Sequence, residues 1–161
     1  MGNIINLKGK ILPDWTINYQ NEIRQMIVGW GSSLSEAEKD ELDCIKWDAL
    51  HIIKERRIPT FYVIANDPDI GVYIHLDSGV FSLSNVSEQE KIAINKFCLQ
   101  KFYNWVSPFR IILNQYGDLA VNFVSRLEII NIEYFIFLIN EIHHYSFAIQ
   151  EELEKEFGGR R

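Results

Sequence analysis

The sequence predicts an α+β fold: a helix, a three-stranded antiparallel meander, a second helix, a β-hairpin and a long C-terminal helix, with an extra N-terminal helical segment. Three observations point there. Apolar residues switch between the three-and-four spacing of helices and the alternation of strands. The strand-like stretches come in neighbouring groups joined by short turn signals, which favours antiparallel pairing over a doubly wound parallel sheet. The chain has 161 residues, 47% of them hydrophobic, enough for one packed core.

The first helix is expected over about 14–30, where Ile23, Met26, Ile27 and Trp30 form one stripe. Gly29, Gly31 and two serines then break the pattern. Ser33 and Glu36 have capping-box spacing, predicting a further helix to about Arg57 with Leu42, Ile45, Ala49, Ile52 and Ile53 inward. Lys54, Arg56 and Arg57 would complement its dipole and Pro59 would end it. The meander follows as Phe61–Ala65, Gly71–Leu76 and Val80–Ser84. Its turns are Asn66-Asp67-Pro68-Asp69 and Asp77-Ser78-Gly79.

Ser87 and Glu90 form a second capping box, opening a helix to about Val106 with Pro108 beyond it. Phe109–Leu113 and Leu119–Val124 flank a loop whose Gly117 suits positive φ, the mark of a hairpin. Asn131 caps the last helix, which runs to about Phe157 with Phe135, Leu138, Ile142, Tyr145, Ile149 and Leu153 as its stripe. Tyr134, Phe137, Ile139, Phe147 and Ala148 lie off that stripe. The apolar arc is therefore wider than one sheet face needs. Residues 1–33 divide off as an N-terminal extension and 34–161 as the α+β domain.

Composition narrows the function. A net charge of −6, with basic pairs only at Arg56-Arg57 and Arg160-Arg161, disfavours nucleic acid as the main ligand. No apolar run approaches the length of a membrane span, and the opening residues lack the pattern of a secretory leader. Asn6 stands where a myristoylation signal needs Ser or Thr. The expected location is cytoplasmic.

Catalytic patterns are missing. There is no phosphate-binding glycine loop and no GxSxG elbow. Cys44 and Cys98 fall on apolar faces and read as core residues. His143 and His144 are adjacent, so a helix points them about 100° apart rather than onto one metal-binding face. His51 and His75 read as ordinary histidines. Asp67, Asp69, Asp77 and Asp118 are too sparse for a calcium loop. The expectation is no enzyme, no metal and no cofactor.

Aromatic residues make up 13% of the chain, and outside the last helix they read as core. The expected partner-binding or dimer surface is Tyr134, Phe137, Tyr145 and Phe147 on the last helix, where tyrosine and phenylalanine would bury apolar partner groups. The alternative is a small-ligand pocket around Tyr73, His75 and Trp105, serving a sensor or regulatory domain.

From about Leu34 to Phe157 the element order resembles the fold of the type III secretion chaperones and of the YbjN-like proteins. The segments carrying the likeness are FYVIA through GVYIHLDSGVFSLS, the helix EQEKIAINKFCLQKFYNWV, the hairpin FRIILNQYGDLAVNFV and the helix NIEYFIFLINEIHHYSFAIQEELEKEF. The resemblance implies a small, acidic, commonly dimeric protein that holds extended partner segments on sheet and helix surfaces and has no active site. Strand addition at a sheet edge is one way to do so. The segment before about Ser33 departs from that pattern.

Overall fold

The computed structural model describes residues 4–5, 11–31, 33–38, 43–105 and 107–158. Strands β1 (Ile4–Ile5) and β2 (Ile11–Leu12) form a small antiparallel ribbon. A 3-10 turn at Asp14–Thr16 leads into α1 (Ile17–Gly29), whose Ile23 and Ile27 are fully buried, as their spacing requires. The main sheet contains β3 (Ser33–Glu38), β4 (Asp43–Ile53), β5 (Arg56–Asp67), β6 (Gly71–Phe81), β7 (Arg110–Leu113) and β8 (Leu119–Arg126). All its pairings are antiparallel, in the order β3-β4-β5-β6-β8-β7. Helix α2 (Glu88–Phe102) carries the chain from β6 to the far edge, and α3 (Ile132–Phe157) follows β8.

The succession of N-terminal helix, antiparallel strands, helix, hairpin and long C-terminal helix is as expected. The helix expected over 33–57 is not: β3, β4 and the start of β5 occupy it. Ile45, Trp47, Ala49, His51 and Ile53 alternate along β4, and Trp47, Ala49 and His51 are buried. The same stretch fits a helical stripe by coincidence, and pairing along β5 from Asp43↔Asn66 to Ile53↔Arg56 decides for the strand. Lys54 and Glu55 are the two loop residues of that hairpin, at φ 47° and 69°. Such a mirror-image turn usually advertises itself with Asn-Gly, and here it does not. Leu42 lies outside the described residues.

Pro59 therefore terminates nothing. It sits in β5 opposite Leu50, and the ladder to β6 begins one residue later at Thr60. That start suits a residue with no N–H to donate. Asp77-Ser78-Gly79 is likewise no turn, because β6 runs through it to Phe81 with a register shift between Gly79 and Phe81. A Cβ on Gly79 would come within 3.3 Å of Pro59 Cγ, a close approach that favours glycine. The meander is thus β3-β4-β5-β6, and it begins upstream of its expected place.

Other local signals hold. Asp67 Oδ1 accepts from the backbone N–H groups of Asp69 and Ile70, closing the β5–β6 turn. The Ser87–Glu90 capping box forms in both directions. Asn131 accepts from the Tyr134 N–H at the start of α3. Helix α2 stops at Phe102, short of Val106, which lies outside the described residues.

One face of the sheet bears the core. Helix α3 crosses β5, β6 and β8, and α1 packs beside it. Along β6, Val72, Ile74, Leu76, Ser78 and Val80 are buried while Tyr73, His75 and Asp77 on the other face are half-exposed. Burying that inner row contributes about 1.5–3 kcal/mol per large side chain. Leu12, Ile23 and Ile27 from the N-terminal segment belong to the same cluster as Phe135, Leu138 and Ile142 of α3.

Candidate protein-binding surface

The four aromatic side chains expected to form one surface on α3 do not converge. Tyr134 and Phe137 are exposed and stack on each other, with ring centroids 5.9 Å apart and planes 14° from parallel. Phe147 is buried, at 8% exposure, because α3 passes over the β4–β5 turn there. The Lys54 ammonium lies 5.4 Å and the Arg56 guanidinium 5.5 Å from its ring, contacts that favour a covered site. Tyr145 is half-buried and faces α2 and β7, with its ring 5.1 Å from Phe109 and 6.1 Å from Trp105.

Tyr145 opens onto a groove that the sequence did not single out. It measures about 520 Å³ and lies between the C-terminal half of α2, the edge strand β7 and α3. Phe102, Trp105, Ile111, Leu119, Tyr145 and Ile149 make an apolar floor, with Trp105 set edge-on to Phe102 at 4.7 Å. Leu99 and Tyr103 form the rim on α2 and are 72% and 82% exposed. Leu113 and Arg110 form the rim on β7, and Leu113 is also exposed. Among the described residues strand β7 pairs with β8 alone, so its outer backbone edge has no strand partner there.

A signal for this surface was present. Ile92, Leu99 and Tyr103 stand seven and four residues apart, a second helical stripe beside the Ile94, Cys98 and Phe102 stripe. All three are exposed, while the other stripe is buried. The groove is held in register by Lys101, whose ammonium is 2.9 Å from the Glu152 carboxylate on α3, and by Phe97, edge-on to Phe157 at 5.5 Å. Burial pushes the Cys98 thiol up to about 11, so at neutral pH it lines the groove as a small apolar group, not as a nucleophile.

Tyr73, His75 and Trp105 are not neighbours in one pocket. Trp105 lines the groove on the helical side, whereas Tyr73 and His75 point to the opposite face of β6. His75 Nε2 accepts from the Asn122 side-chain amide at 2.8 Å, and Asn122 also donates to the Leu76 carbonyl. A smaller hollow of about 230 Å³ lies on that face beside His75, Asp77, Phe61 and Lys46. Burial holds the Asp77 carboxyl above its ordinary range, with His75 opposing. Among the described residues no group of three or more His, Cys, Asp or Glu side chains is placed to hold a metal ion. No described helix is long and apolar enough to cross a membrane.

No protein-family model matches the sequence, and no curated protein matches it. Among solved structures, a chain of the crystal structure of the ExsC–ExsE complex is similar in fold. The likeness covers 86% of this chain and 95% of that one, with a TM-score of 0.52 and 12% sequence identity. At that identity the likeness is one of fold, and it does not single out the YbjN-like proteins.

Proposed function

We propose that this protein is a non-enzymatic binding module, chaperone-like or adaptor-like, that holds a partner polypeptide on apolar sheet and helix surface. The observation that carries the reading is the α2–β7 groove. It combines an apolar floor, exposed Leu99 and Tyr103, and a strand edge with no strand partner among the described residues at one place. A segment in extended conformation would gain backbone hydrogen bonds from β7 and burial for alternate side chains in the groove. The fold neighbour was itself solved in a complex of two proteins, which agrees with such a role. Tyr134 and Phe137 offer a second, smaller apolar patch, suited to a homodimer contact. Cytoplasmic location and the treatment of residues 1–33 as an appended element belong to the same reading.

A small-ligand role draws support from one observation, the size of the groove, which falls within the range of small-molecule sites. Its floor offers few convergent polar groups, so a ligand there would be bound by apolar contact.

The test is affinity capture of the tagged protein from host lysate, followed by mass spectrometry and light scattering of the purified material. One near-stoichiometric co-purifying protein is the expected result. Recovery of the protein alone under several growth conditions would move the weight to the small-ligand reading.

A further inference from the structure

Two histidines that belong to neither groove meet in the core. His51 on β4 and His143 on α3 stack with ring centroids 4.3 Å apart and planes 11° from parallel, and both are buried. Trp30, the residue that closes α1, lies 5.4 Å from the His51 ring and 4.7 Å from the His143 ring. The Tyr62 hydroxyl is 2.8 Å from His51 Nε2. Helix α1, helix α3 and the sheet are therefore joined at one cluster of rings.

We propose that the His51–His143 stack, closed by Trp30, is an acid-labile clasp that releases the C-terminal end of α1 when the pair takes up protons. A charge on either imidazole is poorly solvated in this position, and charges on both would repel at stacking distance. Opening to water relieves both penalties. Trp30 is the element free to yield. His51 is held in the β4–β5 ladder and His143 sits between the buried Ile139, Ile142 and Phe147 of α3, whereas Trp30 is partly exposed at a helix end.

The groups facing the pair fit this assignment. From α3 comes His144, 4.3 Å from His143, whose charge would add to the repulsion. From β5 comes the Tyr62 phenol, which burial holds far above its ordinary range and so keeps neutral. From α1, Arg24 lies over the Trp47 ring at 5.7 Å. From the β4–β5 turn, Lys54 and Arg56 lie over Phe147, one helical turn beyond His143, with Glu55 beside them and Arg56 paired to Glu154. Burial and, after it, the neighbouring imidazoles lower His51 to about 4 and His143 to about 3. Both are thus neutral at neutral pH and have ordinary basicity once released.

Amide hydrogen exchange of the full chain at two pH values, corrected for intrinsic rates, tests this. Between about pH 7 and about pH 5, each histidine freed on opening raises the opening constant of the α1 end by roughly twentyfold. The amides of residues 24–30 should respond while those of β5 and β6 stay protected. His143→Phe keeps a ring in the stack and removes one proton site, so its response should fall by about that factor. Unchanged protection of α1 across this pH range would overturn the proposal, as would loss spread evenly over the sheet. Should His143→Phe fail to fold, the contrast between α1 and β5 in the unaltered chain decides alone.

Discussion

At the scale of single residues, exposure separates positions that hold the fold from positions that are free to bind. Ile74 is fully enclosed in β6 beneath α3, so Ile74→Ala is expected to lower unfolding free energy by about 2–5 kcal/mol, read by urea denaturation. Tyr62→Phe removes the hydroxyl that meets His51, leaving a buried ring nitrogen short of that contact. An expected loss of about 1–3 kcal/mol would appear in the same assay. The two buried histidines give stability a definite pH sense. Their folded pKa values of about 4 and about 3 lie below the ordinary 6.5, so the unfolded chain binds protons first as pH falls. Their contribution is complete above about pH 6.5 and is lost progressively down to about pH 4 for His51 and about pH 3 for His143, so thermal midpoints should drop between pH 7 and pH 5. Midpoints that rise or hold level over that interval would contradict the buried, neutral stack. Little of this cluster was legible in the sequence, because its members come from positions 30, 51, 62 and 143 and only the fold brings them together.

At the scale of elements, the sequence spoke clearly where capping and turn chemistry were explicit. Ser87 with Glu90, Asn131, and Asn66 through Asp69 each sit where their side-chain preferences place them. It misled over 33–57. There, apolar residues satisfy both a helical stripe and a strand alternation, and the hairpin turn is made by Lys54 and Glu55 instead of the usual Asn-Gly. Both residues stand in the left-handed region, which disfavours a side chain with a Cβ. Replacing them by Lys54→Asn and Glu55→Gly is therefore expected to stabilise the protein by roughly 1 kcal/mol, measured by denaturant midpoint. A drop in stability would mean that the contacts of Lys54 with Phe147 outweigh the turn geometry.

At the scale of the whole molecule, one sheet face and its helices consume most of the apolar residues, and what is left over is not scattered evenly. Part of it gathers on α2 and β7 around the groove and at Tyr134 and Phe137 on α3, while Val28, Ile52, Ile70, Val124 and Ile129 are exposed elsewhere. The sequence disclosed an excess of aromatic and apolar side chains, yet it assigned the excess to α3 alone. Phe147 proved to be covered by the β4–β5 turn, a contact between segments some ninety residues apart that no local pattern reveals. The most direct measurement is affinity capture of Leu99→Glu beside the unaltered chain from the same host lysate. Leu99 is 72% exposed, so the substitution should change unfolding free energy by less than about 0.5 kcal/mol. A carboxylate at the groove rim should nevertheless abolish a near-stoichiometric partner band that the unaltered chain retains. Equal recovery of that partner by both proteins would contradict the account, because it would place binding away from α2 and β7.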